Sequence, residues 1–211
     1  MNSTEKEISY NTTNSYSTLN AFTSQTKHVW FVCHGMGYLS TYFLRYFKNL
    51  DPTENYIIAP QAPSKFYIQP KNHVGANWLT RVNTQTDNEN IMSYFDAVLV
   101  AENVSKWPNI IVVGYSQGVS VSMRYLASRQ LKCSHLLIMS GGFPVELKPE
   151  DFKHLSETQV KLVYGLEDEY LNQKRMEEEF NKVSTCFPQV EIEAFNGKHV
   201  VHINSIENLL R

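Results

Sequence analysis

The chain has little of what would take it outside the ordinary globular class. Cysteines number only three, Cys33, Cys133 and Cys186, and an odd count argues against a disulfide framework. Two of them sit in or beside apolar strand-like runs, where a free thiol packs as a small hydrophobe, so a reducing cytoplasm is the expected compartment. Neither sign of charge dominates. The formal net charge is −2, which leaves no basic footprint for nucleic acid and no acidic tail. No apolar run approaches the length of a membrane span. The opening Met1-Asn2-Ser3-Thr4-Glu5-Lys6-Glu7 is polar and lacks the apolar core of a signal peptide. Internal repeats and linkers are also missing. What remains is 211 residues, 42% of them apolar. That suffices for one domain with a sizeable core and is cramped for two, so a single domain over 1–211 is expected.

One stretch stands out. Asn109-Ile110-Ile111-Val112-Val113 ends in a β-branched run without charge, which predicts a strand buried on both faces. Gly114-Tyr115-Ser116-Gln117-Gly118 follows at once as a G-x-S-x-G pentapeptide, and Val119 to Ala127 then places apolar residues at helical spacing. Strand, pentapeptide and helix in succession are the setting of a nucleophile elbow. The glycines leave room for a serine in a strained conformation, and the tight turn lifts its oxygen clear of the sheet. A blander reading makes Ser116 merely a small residue between strand and helix; the context favours the elbow.

The flanking segments repeat the alternation of strand and helix. Residues 5–26 are rich in Ser, Thr, Asn and Tyr and predict an antiparallel hairpin or edge segment. His28 to Cys33 is an apolar strand ending in His34-Gly35-Met36-Gly37. Tyr38 to Leu50 predicts a helix capped by Ser40 or Thr41, with Phe43, Leu44, Phe47 and Leu50 on one face. Tyr56 to Ala59 is a second strand, and Ser64 to Asp87 reads as a long irregular stretch. Glu89 to Trp107 predicts a helix stopped by Pro108. His135 to Met139 and Val160 to Tyr164 are strands, Leu171 to Thr185 is an amphipathic helix, and Val190 to Phe195 alternates as an edge strand should. A last short helix runs towards Arg211. The pattern predicts an α/β fold: a doubly wound, mostly parallel central sheet flanked by helices. The stretch from Phe143 to Gln159 is too short for a large cap domain.

In such sheets the ligand site lies at the carboxyl ends of the strands. His34-Gly35-Met36-Gly37, Ser116, Asp168 and His199 all occupy such positions. A serine hydroxyl is a weak nucleophile that needs a base; a histidine supplies one, and a carboxylate holds its tautomer and stabilises the imidazolium. The chain order Ser116, Asp168, His199 suits this architecture. Asp168 has rivals in Glu167 and Glu169, but the G-x-x-D pattern after a strand selects the aspartate. His199 competes with His202; the glycine two residues ahead favours His199. The spacing His199-x-x-His202 is also weak metal-ligand spacing, but without a third ligand no metal is expected. Backbone N–H groups of Met36 and Gln117 are candidates for an oxyanion hole, His34 reads as a structural histidine, and Gly37, Trp78 and Phe143 are candidate substrate contacts.

These residues resemble the α/β-hydrolases, and most closely the small phospholipase/carboxylesterase group that includes acyl-protein thioesterases. The resemblance covers roughly residues 28 to 205 and rests on His34 to Gly37, Ala59-Pro60-Gln61-Ala62-Pro63, Gly114 to Gly118, Gly165 to Asp168 and Gly197-Lys198-His199. That group usually carries an acidic residue soon after its His-Gly-x-Gly, whereas Tyr38, Leu39 and Ser40 follow here. The resemblance implies a serine hydrolase acting on small-molecule esters or thioesters, without cofactor. The alternatives are a peptidase or amidase, an acyltransferase, or a ligand-binding protein on the same fold. A homodimer is compatible with the sequence: Tyr42, Phe43, Tyr46 and Phe47 are expected mostly in the core, and any exposed part would mark a dimer or lipid-facing patch.

Overall fold

The computed structural model describes residues 3–104 and 109–211. Strands and helices alternate along the chain: β1 (Tyr16–Leu19), β2 (His28–Cys33), α1 (Ser40–Phe43), β3 (Asn55–Pro60), β4 (Ser64–Ile68), β5 (His73–Asn77), α2 (Thr84–Ala101), β6 (Ile110–Tyr115), α3 (Gln117–Arg129), β7 (His135–Met139), β8 (Gln159–Gly165), α4 (Gln173–Cys186), β9 (Glu191–Phe195) and α5 (Ile203–Glu207). Short 3-10 helices follow α1 (Leu44–Phe47) and β7 (Pro149–Leu155).

Among the described residues, seven strands form one sheet in the order β1-β3-β2-β6-β7-β8-β9. All neighbours run parallel except β1, which adds antiparallel to β3 with Tyr16 opposite Pro60. The two-residue period of a strand explains the layering. On β2, Val29, Phe31 and Cys33 face a cluster that α2, α3 and α4 cover, while Trp30 and Val32 face one covered by α1, its 3-10 continuation and α5. Both faces are therefore apolar, as a doubly covered parallel sheet requires. Burying a side chain of the size of Phe31 or Ile57 stabilises by about 2 kcal/mol, so the central strands hold the molecule together more than the edges do. At the β9 edge, Ile192 is 42% exposed. Lys161 on β8 reaches Glu191 and Glu193 of β9 at 2.9 and 3.5 Å, and such charges deter further strand addition.

Several expected elements change form. Of the two forms expected for residues 5–26, the edge segment is the one found, as β1. The helix expected over Tyr38–Leu50 shrinks to one α-turn and one 3-10 turn. Its first N–H, on Ser40, is taken by the Gln61 side chain at 2.9 Å, and Leu39 stays extended instead of Ser40 or Thr41 capping. The tighter winding sets Phe43, Leu44 and Phe47 against the sheet, so tertiary packing overrides helical periodicity. The irregular stretch expected over Ser64–Asp87 contains the β4–β5 hairpin, with Ser64 opposite Asn77 and Ile68 opposite His73. Its first four residues are exposed, so no buried face wrote an alternation into the sequence. Helix α2 begins at Thr84, five residues before the expected start at Glu89, because its first turns are polar and bury no side chain fully. The expected stop at Pro108 lies outside the described residues. Among the described residues, no helix is long and apolar enough to cross a membrane.

Candidate active site

Strand β6 delivers Tyr115 and Ser116 to the carboxyl edge of the sheet, and α3 leaves immediately. Ser116 takes φ 52° and ψ −119°, a strained conformation for a residue with a Cβ. The turn is tight on both sides. A Cβ on Gly118 would come within 2.0 Å of the Cys33 carbonyl oxygen, and one on Gly114 within 2.7 Å of the Val119 Cα. The two glycines of the pentapeptide are thus spaces into which β2 and α3 fit.

Three side chains from the ends of β6, β8 and β9 meet here. The His199 Nε2 lies 2.8 Å from the Ser116 Oγ, and its Nδ1 lies 2.7 Å from the Asp168 Oδ2. An ionised carboxylate only accepts hydrogen bonds, so in the neutral ring Nδ1 carries the proton and Nε2 is left to accept from the serine hydroxyl. The Asp168 side chain is fully buried, and its other oxygen accepts the Tyr170 and Leu171 N–H groups at 2.8 and 2.9 Å. The turn after β8 therefore holds the carboxylate on both oxygens. Of its rivals, Glu167 is exposed, and Glu169 accepts the His199 backbone N–H at 3.4 Å rather than touching the ring. His202 turns elsewhere: its ring stacks on Phe195 at 4.2 Å and its Nδ1 meets the Ser205 Oγ at 2.7 Å. Among the described residues, no group of three or more His, Cys, Asp or Glu side chains is arranged to hold a metal ion.

The loop after β2 closes the other side. His34 is fully buried; its Nδ1–H donates to the Gly35 carbonyl at 2.8 Å and its Nε2 accepts the Ala62 N–H at 3.2 Å. Burial lowers its pKa to about 4, so it stays neutral and ties the β2 loop to the β3 loop. The Gly37 N–H donates to Ala76 of the hairpin at 2.8 Å, which fastens β5 over this loop. Among the described residues, neither the Met36 nor the Gln117 N–H donates to a protein acceptor. Gln117 is the first residue of α3, where N–H groups lack intrahelical partners. Its side chain is fully engaged: Nε2 donates to Asn77 and Leu79, and Oε1 accepts the Trp78 N–H.

Two candidate substrate contacts lie elsewhere. Trp78 is 1% exposed and its Nε1–H donates to the His34 carbonyl at 2.7 Å; it props the loop from within the core and offers no surface to a ligand. Phe143 is 3% exposed and packs on Phe152, while its N–H donates to the buried carboxylate of Glu179 at 2.6 Å. Aromatic burial decides both cases, because each ring finds a full apolar neighbourhood beneath the sheet ends. Neither Tyr115 nor Tyr170 was singled out by sequence as a site residue, yet both touch His199. The available signal was a tyrosine ending an otherwise aliphatic buried strand, since a buried phenol needs a partner for its hydroxyl.

Esterase PE8 superposes with a TM-score of 0.70 at 20% identity, over 94% of this chain and 98% of that one. A phospholipase/carboxylesterase from Dyadobacter fermentans gives 0.69 at 20% identity, over 94% and 97%. Acyl-protein thioesterase 2 of Zea mays gives 0.67 at 15% identity, over 93% and 96%. At such identities these likenesses show the α/β-hydrolase fold and no more. Among curated protein sequences, none matches. The family model described as Phospholipase/Carboxylesterase, however, matches residues 15–210, and the chain belongs to that family.

Proposed function

We propose that the protein is a serine hydrolase that cleaves carboxylic esters or thioesters of small molecules through an acyl-enzyme on Ser116. The hydrogen-bonded order Ser116–His199–Asp168 carries this reading. In the first half-reaction the Ser116 Oγ attacks the substrate carbonyl carbon while His199 Nε2 takes the hydroxyl proton. Negative charge develops on the carbonyl oxygen, and in this reading the N–H groups of Met36 and Gln117 receive it, the latter with the field of the α3 N-terminus behind it. Collapse of the tetrahedral intermediate breaks the bond to the leaving alcohol or thiol, which departs with the proton from His199. Water then attacks the acyl-enzyme, giving its proton to His199, and the acid is released as Ser116 is restored. Throughout, Asp168 keeps the imidazole in one tautomer and stabilises its protonated form.

The family supports ester hydrolysis as the reaction class, and the resemblance to acyl-protein thioesterases supports thioesters as alternative substrates. No step calls on a cofactor. Three free cysteines, two of them buried, accord with a reducing cytoplasm. The test is labelling by a fluorophosphonate probe, beside hydrolysis of p-nitrophenyl esters from acetate to palmitate, for the wild type and Ser116→Ala. Labelling and turnover should vanish together in the variant, and the chain-length optimum sizes the acyl site. A folded wild-type protein that neither labels nor turns over any ester would overturn the reading in favour of a ligand-binding protein.

A further inference from the structure

Tyr115 lies beside the proposed nucleophile but takes no part in the mechanism above. Its side chain is 2% exposed, and three chain segments converge on it. Through the backbone it adjoins Ser116 at the end of β6. Its hydroxyl donates to the main-chain carbonyl of His199 at 3.0 Å, and its ring lies 5.4 Å from the imidazole at a 36° tilt. On the side of the β2 loop, a Cβ added to Gly35 would sit 2.9 Å from the Tyr115 ring. Behind it, Phe43 stacks at 20° and Tyr38 meets it edge to face at 5.7 Å, so the ring is held on all sides.

The turn bearing His199 is tied to the turn after β8 by the Glu167 N–H, which donates to the Gly197 carbonyl at 2.9 Å; at His199 itself the main chain has less support. The turn's residues from Asn196 to Val200 alternate between exposed and half-buried, and the His199 N–H makes only the long 3.4 Å contact to the exposed Glu169. The relative placement of Ser116, His199 and the Gly35–Gly37 loop must be kept within a fraction of an ångström for proton transfer and oxyanion binding. One rigid ring anchored on the serine's own strand can do this for all three. We infer that Tyr115 is a positioning residue, whose hydroxyl fixes the His199 main chain and whose ring sets the spacing between the histidine turn and the oxyanion loop. The inference rests on the serine-hydrolase reading.

The test is Tyr115→Phe, which keeps the ring and removes the hydroxyl, with Tyr46→Phe as the companion. Tyr46 contributes a hydroxyl to the same aromatic cluster, bonded to Tyr38 at 3.3 Å, and no contact to His199. Loss of one such hydrogen bond should lower kcat by about tenfold in Tyr115→Phe, with KM unchanged. The Nδ1 proton of His199 should broaden or vanish from the NMR spectrum, a readout independent of turnover. Tyr46→Phe should match the wild type in all three. The inference is overturned if Tyr115→Phe loses only thermal stability while kcat, KM and the Nδ1 resonance stay unchanged, or if both variants lose activity equally. Absence of labelling in the wild type would instead defeat the hydrolase reading, and the NMR comparison would still decide whether Tyr115 positions the ring.

Discussion

Two histidines at the same end of the sheet sit in opposite environments, and the proposed mechanism gives them opposite tasks. His34 follows β2 and is fully buried, and each ring nitrogen is spent on a main-chain group. Nothing acidic is bonded to it, and burial depresses its pKa to about 4, so near neutrality it is an uncharged peg between two loops. His199 follows β9 with a side chain 13% exposed, one nitrogen on a buried carboxylate and the other on a serine hydroxyl. A charged partner on one nitrogen and a proton donor on the other are what a base in use requires, whereas two neutral main-chain partners make a structural part. The functional difference therefore lies in the partners rather than the residue.

The sharpest way to break the comparison is to remove each ring. His199→Ala should lower kcat for a p-nitrophenyl ester by roughly 10⁴-fold and leave the melting temperature nearly unchanged. Asp168→Asn should come close to this loss, on the order of 10³–10⁴-fold, because an amide can offer its N–H to Nδ1 and invert the tautomer. Initial rates with thermal denaturation check both; an Asp168→Asn variant of wild-type activity would remove the carboxylate from the mechanism.

His34 should instead respond in stability. Its folded pKa lies below the unfolded value of 6.5, so the unfolded chain binds its proton first as pH falls. The contribution is intact above pH 6.5 and is lost progressively down to about pH 4, amounting to about 3 kcal/mol by linkage. Urea denaturation at a series of pH values should show this loss in the wild type and a flatter profile in His34→Gln. His28 and His135 are also lowered by burial and act in the same direction, so the difference between the two proteins is the quantity to read. The smallest effect should come from Trp78→Phe, which keeps an aromatic ring but loses the indole N–H and strands the His34 carbonyl; about 1–2 kcal/mol of stability should go, with little change in KM.

Much of this arrangement is legible without coordinates. The apolar runs at His28–Cys33, Tyr56–Ala59, Asn109–Val113, His135–Met139 and Val160–Tyr164 mark strands because a sheet covered on both faces needs apolar residues at consecutive positions. Helix α3 and the β7 limits follow from the same periodicity. The hairpin, the early start of α2 and the unwinding after Tyr38 were hidden, since each depends on exposed residues or on a distant hydrogen bond such as Gln61 to Ser40.

The sequence by itself determined the elbow and the order of the strand ends. A serine at positive φ demands small neighbours in its own pentapeptide, and alternation of apolar periods is local chemistry. Tertiary structure alone decided that Trp78 and Phe143 point into the core, that Gln61 takes the first N–H of α1, and that the Tyr115 hydroxyl finds the His199 carbonyl. Those outcomes turn on the direction of side chains brought together from strands far apart in the chain, and sheet order and register, which set that direction, are properties of the whole fold rather than of any window of residues.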